Sequence, residues 1–424
     1  MQEKFQKYLD YKEKINFNYK GYPVGKILSV DIASIAFGIK KFRLKGLFGF
    51  FFSRKIVFPE IGKNDVLYSM GDYKRKDYYA LLDYVREQTP GNLVDLNDNG
   101  RIVKINVLNI LKALVHVFSE GQGIALKDKL MLAVSYTYIM NYIDEIERNE
   151  SALPGAYVSF CSSHINESVI DIFFQKRSIP TYTLQHGLYF LFKDKTIDAI
   201  CYENIIANKL LCWGEYTREQ FVEYGVPAEK LIVAGYPGTF ESLKKREVKE
   251  KFTILLLLSR YMFHENNIHI LNIVSSVKKL NKNINIDVKM HPSLKESDYH
   301  RVLEEHGFSL CKEGTIKSLL KNGEYDMTIS YNSTAYYDSY MSNCVSLRYL
   351  DKDSDGSIDV LDDGFDSVTS LSEKIAIFSQ NMKTDLFWRQ VEERLAFICG
   401  FNINKYNEEI KTQQLLERNK EVEK

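Results

Sequence analysis

The sequence has no excess of positive or negative charge, no long apolar run and no paired cysteines. Its 56 Lys and Arg residues balance 56 Asp and Glu residues, which argues against a nucleic-acid partner because proteins of that class usually carry a basic surface. No apolar stretch approaches the roughly 18 to 20 residues that a membrane span requires. The charged N-terminal segment lacks the apolar core of a signal peptide. We therefore expect a cytoplasmic protein.

The six cysteines stand singly and form no Cys-x-x-Cys pair. Their placement predicts reduced core residues and suggests neither a zinc site nor a disulfide framework. Proline and glycine are sparse as well, with 8 and 23 in 424 residues, which excludes long disordered linkers. Because a chain of this length is too long for one ordinary core, we expect two domains of roughly 150 to 200 residues each.

Apolar runs typical of buried strands alternate with helical patterns from residue 65 onward. This alternation predicts mainly parallel sheets and an α/β fold with two doubly wound, Rossmann-like domains. We place the first domain at residues 1–240, with an extension at 1–62, and the second at 250–385. Residues 386–424 are expected to form helices that pack back toward the first domain. The predicted strands are 65–69, 93–96, 102–105, 157–161, 181–185, 209–213, 230–234, 252–258, 284–290 and 325–329.

The charged stretch Lys244–Lys251 marks the expected end of the linker between the domains. Another unusual segment, residues 24–58, interleaves aromatic and aliphatic residues with lysines and arginines such as Lys40, Lys41 and Lys45. Basic residues beside an apolar face are typical of an interfacial helix on an anionic membrane. One interpretation is therefore peripheral contact with the inner face of the plasma membrane. The alternative is a helix pair packed on the body of the protein, with its lysines in solvent.

A first polar segment follows the strand predicted at 284–290. Within it Lys289, His291 and Ser293 alternate along an extended backbone and emerge on one side, while Pro292 fixes the backbone where the strand stops. A histidine there can donate a charge-assisted hydrogen bond to a phosphate, worth roughly 1.5 to 3 kcal/mol. The alternative is that His291 caps a helix that begins near Ser293.

A second polar segment follows the strand predicted at 325–329 and precedes another helical pattern. Small donors at a helix N-terminus suit a phosphate group, although such a cluster can also be only an N-cap. The carboxyl ends of neighbouring parallel strands meet at one edge of a sheet, so the two segments together predict a phosphate-binding crevice. The donors of the second segment are Ser330, Asn332, Ser333 and Thr334.

A third cluster, Gln185-His186-Gly187, ends the strand predicted at 181–185. We expect Gly187 to permit a tight turn that leaves His186 facing the crevice. A neutral imidazole can act there as a general base, or as a cation once protonated. The alternative is a buried histidine with satisfied hydrogen bonds. Glu167 and Asp72, from two other loops of the first domain, are rival candidates for the catalytic base.

These segments resemble the GT-B glycosyltransferases of bacterial surface polysaccharide synthesis that use cytidine-nucleotide donors. That group includes sialyl-, polysialyl- and Kdo-transferases and the CDP-glycerol glycerophosphotransferases of teichoic acid synthesis. Lys289-Met290-His291-Pro292 is similar to their His-Pro motif, and Ser330–Thr334 with Asp338 is similar to their paired Ser/Thr motif and the acid that follows. Gln185-His186-Gly187 resembles the His-Gly element of the capsule and teichoic acid enzymes. The resemblance covers roughly residues 155–350.

The resemblance implies a GT-B fold in which the two domains face an interdomain cleft. His291 and the pair Ser333 and Thr334 would hold the nucleotide phosphates of the donor in the second domain. His186 would be the acid/base or a phosphate contact in the first domain, which would hold an oligosaccharide or lipid-linked glycan acceptor. The acidic base motif of the sialyltransferases is absent: Asp98-Asn99-Gly100 is the nearest match in the first domain, and Asp362-Asp363-Gly364 lies in the second.

We expect no metal and no cofactor beyond the nucleotide-activated donor. No Asp-x-Asp pair follows a predicted strand directly, where a Mg²⁺-diphosphate would need it; Asp353-Ser354-Asp355 sits in an acidic loop. The expected activity is transfer of a sugar from a nucleotide, with CMP favoured, to a hydroxyl of a bacterial surface glycan. Alternatives are a CDP-polyol phosphotransferase, a nucleotide-sugar 2-epimerase and a non-catalytic scaffold of a polysaccharide assembly complex.

Overall fold

The computed structural model describes residues 2–71, 74–98, 100–149, 153–188, 195, 197–247, 249, 251–321, 323–352, 354 and 358–411. The chain divides into two compact units. The first contains the residues up to 238 together with those from 403 on, and the second contains residues 239–402. Each unit has its own parallel sheet, which confirms the prediction of an α/β fold with two Rossmann-like domains.

Six strands of the first unit form a sheet in the order β10-β9-β8-β7-β4-β5, and every recorded pairing within it is parallel. The central strands β4, β7 and β8 are buried along their whole length, as expected for strands that are covered on both faces. The strands of this unit are β1 (Asn18–Tyr19), β2 (Tyr22–Pro23), β3 (Phe52–Arg54), β4 (Val66–Met70), β5 (Gly91–Asp95), β6 (Arg101–Val103), β7 (Ala156–Ser159), β8 (Thr181–Leu184), β9 (Lys209–Cys212) and β10 (Leu231–Val233).

The helices of the first unit supply most of its apolar core. They are α1 (Gln2–Lys14), α2 (Val24–Ile27), α3 (Ser29–Ala36), α4 (Lys76–Gln88), α5 (Val107–Glu120), α6 (Leu126–Ile146), α7 (Ile165–Gln175), α8 (Ile200–Glu203) and α9 (Glu215–Glu223), with a 3-10 helix at Leu44–Phe51. In α7, Val169 and Phe173 recur at the four-residue spacing of one helix face and are fully buried.

The segment 24–58 divides into two parts with different environments. Val24, Ile27 and Ile32 of α2 and α3 are fully buried in the core that these helices share with α1 and α6. For this part the interfacial interpretation is wrong, because its apolar face packs against the protein. The 3-10 helix Leu44–Phe51, in contrast, contains no buried residue.

The second unit has a parallel sheet in the order β13-β12-β11-β14-β15-β16. Its strands are β11 (Phe252–Leu257), β12 (Ile284–Lys289), β13 (Ser309–Leu310), β14 (Met327–Ser330), β15 (Val345–Tyr349) and β16 (Gly364–Phe365). Its helices are α10 (His264–Leu280), α11 (His300–His306), α12 (Ile316–Lys321), α13 (Ala335–Met341), α14 (Val368–Asn381) and α15 (Asp385–Cys399). The apolar run of β11 is almost entirely buried in the middle of the sheet.

The charged stretch expected to end the linker contacts the second unit instead. The backbone N–H of Lys244 donates to the side-chain carbonyl of Asn343 at 2.8 Å, and the Arg246 guanidinium donates to the carbonyl of Tyr325 at 3.0 Å. Charge alone did not reveal these contacts, because both use backbone or amide acceptors rather than carboxylates.

Helix α15 also lies with the second unit, where Trp388 and Leu395 are buried, rather than with the first domain as expected. The chain returns to the first unit from residue 403. There the N–H of Lys405 donates to the carbonyl of Ala234 at 3.0 Å. The Tyr406 hydroxyl donates to the backbone carbonyl of Gly235 at 2.6 Å. The predicted strand at 102–105 corresponds to β6, which pairs antiparallel with β3 outside the main sheet.

Candidate functional site

In the sheet of the second unit, β11 is the strand at which the strand order changes sides. The chain adds β12 and β13 on one side of β11 and then crosses to the other side for β14, β15 and β16. Open α/β sheets bind ligands at such a switch point, beyond the carboxyl ends of the strands. Leu257 of β11 pairs with Lys289 on one side and with Ser330 on the other. The two polar segments therefore flank the end of β11, one on each side.

His291 is held in a turn that fixes the role of its ring nitrogens. The backbone N–H of Ser293 donates to His291 Nδ1 at 3.1 Å, so the neutral ring carries its proton on Nε2. Ser293 Oγ lies 2.9 Å from the same nitrogen and accepts from the backbone N–H of Tyr261 at 3.2 Å. The turn thus presents Nε2 as the donor and ties the loop after β12 to the loop after β11. Lys289, like His291, is half-buried, whereas Pro292 is exposed.

The expectation that a helix opens directly after this segment is wrong. The N–H of Leu294 donates to the carbonyl of His291 at 2.9 Å, which closes a turn, and the first α-helix after β12 is α11, which begins at His300. His291 consequently caps no helix, and the alternative offered for it does not apply.

The second polar segment is only partly used in capping. Ser333 Oγ accepts from the N–H of Ala335 at 3.3 Å, but Thr334, which precedes α13, makes no capping hydrogen bond with its side chain. Asn332 adopts a positive φ of 43°, a conformation that asparagine tolerates better than most residues. Ser330 is buried, and its Oγ has no hydrogen-bond partner among the described residues. Asp338 lies one turn further on and is half-buried.

The loop after β11 completes this edge and was not singled out from the sequence. The N–H of Ser259 donates to the side chain of Asn267 at 2.9 Å, and the Arg260 guanidinium lies 5.7 Å from the ring centre of Phe263. The available signal was that Ser259 and Arg260 follow the most apolar strand of the unit. The position of Ser259 and Arg260 points to a binding site only when the strand order is known, because the loop after the first strand of a doubly wound sheet borders the switch point.

The sheet of the first unit changes direction at a different place. The chain adds β5 on one side of β4 and then β7, β8, β9 and β10 on the other, so β4 and β7 border the switch point. Ser69 of β4 pairs with Ser159 of β7 at the end of their ladder. The loop that follows β4 contains Asp72, which lies outside the described residues. The loop that follows β7 leads to Glu167 on α7.

Glu167 is fully buried and joins the two strands at this point. Its Oε1 accepts from Ser69 Oγ at 2.6 Å and from the N–H of Phe160 at 2.9 Å, and its Oε2 accepts from the N–H of Cys161 at 3.2 Å. Burial raises the pKa of Glu167 to about 8, and the negative charge of Cys161 contributes to the increase. The side chain has no exposed surface, so its contacts are internal.

His186 follows β8 and is half-buried. Its ring packs edge-on against Tyr78, with 5.7 Å between centroids, and at a tilt against Phe160 at 5.4 Å. Gln185 holds the turn, because its Oε1 accepts from the N–H of Trp213 at 2.6 Å and its Nε2 donates to the carbonyl of Gly187 at 2.9 Å.

The reason expected for Gly187 is wrong. This glycine is not among the residues with a positive φ, and a Cβ at that position would meet no atom within 4 Å. The hydrogen bonds of the Gln185 side chain, rather than glycine flexibility, hold the chain in this turn.

A thiol beside two imidazoles was also missed by the sequence reasoning. Cys161 lies two residues after the end of β7. Its thiol is within hydrogen-bonding reach of His164 and His186, and its Sγ lies 3.0 Å from Ser163 Oγ. Burial raises the pKa of the Cys161 thiol, but the charges and hydrogen bonds of the two histidines outweigh burial and hold that pKa well below its usual range. The signal was a cysteine and a histidine three residues apart at a strand end.

Within the described residues, no three or more His, Cys, Asp and Glu side chains are placed to hold a metal ion; Asp353 and Asp355 lie outside them. Within the same part of the chain, every helix is too short or too polar to cross a membrane.

The chain matches no protein-family model and no curated protein. Among solved structures, it is similar to S. aureus TarM in complex with fondaparinux, alpha-GlcNAc-glycerol and UDP, with TM-score 0.45, 14% identity and coverage of 64% of this chain and 57% of TarM. It is similar to UDP-GlcNAc 2-epimerase from Neisseria meningitidis bound to UDP-GlcNAc, with TM-score 0.48, 12% identity and coverage of 82% and 99%. It is also similar to the pneumococcal O-GlcNAc transferase GtfA in complex with UDP and GlcNAc, with TM-score 0.44, 10% identity and coverage of 62% and 56%.

The chain thus spans little more than half the length of TarM and GtfA. Transferases and an epimerase are both represented among these neighbours.

Proposed function

We propose that this protein is a glycosyltransferase that moves a sugar from a nucleotide donor, with CMP favoured, to a hydroxyl of a bacterial surface glycan. The observation that carries the proposal is the pair of polar segments on either side of the end of β11, where Lys289 and Ser330 occupy matching register positions beside Leu257. A donor phosphate bound there receives the Nε2–H of His291 and the hydroxyls of Ser333 and Thr334. The resemblance of these segments to enzymes with cytidine-nucleotide donors favours CMP.

The proposed reaction needs two kinds of group. The acceptor oxygen forms a bond to the anomeric carbon of the sugar, while the bond from that carbon to the donor phosphate oxygen breaks and its electron pair remains on the nucleotide. Lys289 and His291 stabilise the negative charge on the departing phosphate, which is usually the largest single contribution of such a site. The hydroxyl proton of the acceptor passes to a general base.

We assign the base to His186 in preference to Glu167. Glu167 is buried and accepts hydrogen bonds from Ser69, Phe160 and Cys161, which engages both of its oxygens. His186 is half-buried at the end of β8 and carries an imidazole, the side chain that most often serves as a general base. Asp72 stays a rival candidate. The first unit is accordingly proposed as the acceptor side and the second as the donor side, with no metal taking part.

The acceptor is proposed to be an oligosaccharide or a lipid-linked glycan at the inner face of the plasma membrane. Peripheral contact with anionic lipid belongs to the same proposal. Its support is the 3-10 helix Leu44–Phe51, whose apolar side chains are all at least partly exposed, together with the basic residues Lys40, Lys41 and Lys45 just before and within it.

A nucleotide panel tests the proposed activity. CMP, CDP and UDP are added separately, and the midpoint of thermal unfolding is measured; a ligand at a hundredfold excess over its Kd stabilises the folded state by about 2.7 kcal/mol. Stabilisation by CMP or CDP supports the transferase. UDP is the comparison: a response to UDP alone overturns the cytidine donor and is compatible with the 2-epimerase, and no response to any nucleotide favours a scaffold.

The chemical products separate the two remaining transferases. A glycosyltransferase with a CMP-sugar donor releases CMP and leaves a glycosidic bond without phosphorus. A CDP-polyol phosphotransferase also releases CMP but places a phosphodiester on the acceptor. Phosphorus content of the purified product therefore distinguishes these reactions when either donor is turned over.

A further inference from the structure

A pocket of about 340 Å³ opens beside the 3-10 helix Leu44–Phe51 in the first unit. Four basic residues line it, Lys40, Lys41, Arg43 and Lys45, and all four are exposed. Its apolar lining consists of Phe42, Leu47, Met131 and Val134, which are half-buried. The pocket thus combines a cationic rim with an apolar floor, an arrangement that fits a molecule with an anionic group attached to a hydrocarbon chain.

The positive charge of the rim is largely uncompensated. Lys40 forms an ion pair with Asp31 at 2.8 Å, and its ammonium group also donates to Ser135 Oγ at 3.3 Å. Lys41, Arg43 and Lys45 have no ion pair with any described residue of the chain. A protein of zero formal net charge therefore concentrates three unpaired cations on one short segment. Near an anionic membrane surface such residues each contribute about a factor of five in affinity.

The surface beside the pocket is strongly apolar. Leu44 and Phe48 of the 3-10 helix are 76% and 63% exposed, although large side chains of this type usually bury their surface. The apolar surface continues onto β6, because Phe52 pairs with Val103 and the N–H of Lys104 donates to the carbonyl of Phe51 at 2.8 Å. Contiguous exposed apolar patches mark interaction surfaces.

Helix α5, which follows β6 after three residues, extends this surface along the chain. Val107, Leu108, Leu111 and Val115 are exposed and recur at the spacing of one helix face, while Ala113 and Val117 face the core. The helix therefore buries one apolar stripe and leaves a second one uncovered. Ordinary packing of a surface helix needs only the first of these.

We infer that the pocket is a binding site for an anionic phospholipid of the membrane, with the lipid phosphate at Lys41, Arg43 and Lys45 and an acyl chain along Leu47, Met131 and Val134. Leu44, Phe48 and the outer face of α5 then lie in the interfacial layer of the same bilayer. The inference rests on the membrane contact proposed above and gives it a ligand site. A nucleic acid matches the cations but has no hydrocarbon chain for the floor, and charge complementarity favours an anionic lipid over a neutral one.

Vesicle binding tests the site in the 424-residue chain. Phosphatidylcholine vesicles with and without phosphatidylglycerol are sedimented with the wild type and with the triple variant Lys41→Glu, Arg43→Glu, Lys45→Glu. We expect wild-type binding only to the anionic vesicles and a loss on the order of a hundredfold in the variant, since three favourable contributions of about fivefold each are removed. A matched control, Lys279→Glu, Lys282→Glu, Lys317→Glu, makes the same charge change at exposed lysines of the second unit and should bind as the wild type does.

A second pair of measurements isolates the pocket from the charge of the surface. Monomeric dihexanoyl phosphatidylglycerol should raise the unfolding midpoint of the wild type but not that of Met131→Trp, which fills the floor, whereas inorganic phosphate alone should not. Equal vesicle binding by the wild type and the triple variant, no vesicle binding by the wild type, or an equal response to inorganic phosphate would each overturn the lipid site. So would concentration-dependent self-association of the wild type that Phe48→Ser abolishes, since the patch would then be an interface between copies of this chain.

The outcome is independent of the nucleotide chemistry. If the triple variant keeps the wild-type response to nucleotides while losing vesicle binding, the lipid site stands on its own. If nucleotides have no effect on either protein but vesicle binding follows the expected pattern, the proposed transferase fails and the lipid site does not.

Discussion

The carboxyl edges of the two sheets use their polar groups in opposite ways. In the first unit Glu167 and Gln185 are buried and make hydrogen bonds that join neighbouring strands and loops. In the second unit His291, Asn332 and Thr334 are half-buried and lie in turns. The first arrangement is suited to hold one reacting side chain in place, and the second is suited to offer donors to a ligand.

The strand orders explain part of this difference. In the first sheet the strand order changes sides between β4 and β7, and in the second sheet it changes sides between β11 and β14. Different strands therefore border each switch point. At the first switch point a carboxylate from α7 bridges the strands. At the second, Ser330 Oγ has no partner in the described structure. Among the described residues, buried Ser330 thus lacks the kind of hydrogen bond by which Glu167 joins β4 to the loop after β7.

The largest expected effect concerns His186. Replacing it with Ala removes the proposed base, so turnover should fall by a factor on the order of 10² to 10⁴ while the nucleotide-induced thermal shift is retained. The measurement is nucleotide release in the presence of acceptor. Added imidazole should restore part of the lost turnover, as expected for a missing proton acceptor. Loss of nucleotide binding in this variant would contradict the assignment of the base to the first unit and of the nucleotide site to the second.

The buried bridge of the first unit should matter mainly for stability. Glu167→Ala leaves the Ser69 hydroxyl and the N–H groups of Phe160 and Cys161 without their acceptor, and we expect the free energy of unfolding to fall by about 3 kcal/mol. Chemical denaturation measures this change. Glu219→Ala, an exposed acid of α9, is the matched control and should stay within about 0.5 kcal/mol of the wild type. A similar small effect for Glu167→Ala would show that the bridge is not stabilising.

The same carboxyl group should make stability depend on pH. Burial raises the pKa of Glu167 from 4.5 to about 8, so between these values the folded protein binds more protons than the unfolded chain. Its contribution is complete below pH 4.5 and is lost as the pH rises through about 8. The wild type should therefore lose more stability than Glu167→Gln between about pH 5 and pH 8.5. Parallel curves for the two proteins would indicate an ordinary, ionised carboxylate.

His291→Ala tests the open edge of the second unit. Turnover should fall by about a hundredfold, the typical loss of one electrostatic stabiliser, and the nucleotide-induced thermal shift should weaken, with the unfolding midpoint of the free protein unchanged. His300→Ala, at an exposed histidine of α11, is the control. Near-normal turnover would contradict the assignment of the donor site.

The smallest expected effect concerns the backbone of Asn332. Its φ of 43° is costly for a residue with a Cβ and no compensating polar side chain, so Asn332→Ala should lose about 1 kcal/mol of stability and Asn332→Gly much less. Denaturation of the two variants measures the difference. If both weaken nucleotide binding equally, the amide side chain, rather than the backbone conformation, contacts the ligand.

Much of the fold could be predicted from local pattern. The predicted strand 252–258 agrees with β11 within one residue, because a buried parallel strand is a continuous apolar run. The predicted strand 284–290 agrees with β12 within one residue, because its apolar residues alternate with polar ones. The two-residue edge strands β13 and β16 were not predicted, since two residues carry no periodicity. The buried inner strand β15 was not predicted either; its apolar residues alternate with Ser346 and Arg348. The segment 24–58 was ambiguous for a different reason. Its two parts have similar composition, but one packs in the core and the other is exposed.

The candidate site divides in the same way. The sequence predicts candidate donors at His291 and at Ser330, Asn332, Ser333 and Thr334, because a polar residue directly after an apolar run is a local signal. It did not identify the loop at Ser259–Tyr261 or the thiol of Cys161, whose importance depends on which strands are neighbours.

The sequence by itself determined that there are two parallel-sheet domains and which strand ends carry polar groups, since both follow from the order of residues along the chain. Only the tertiary structure decided which of those groups are buried and bonded, as Glu167 is, and which are half-exposed in turns, as His291 is. It also decided that Lys41, Arg43 and Lys45 line an apolar pocket. Burial and partnership arise from contacts between residues far apart in sequence, and local pattern does not record them.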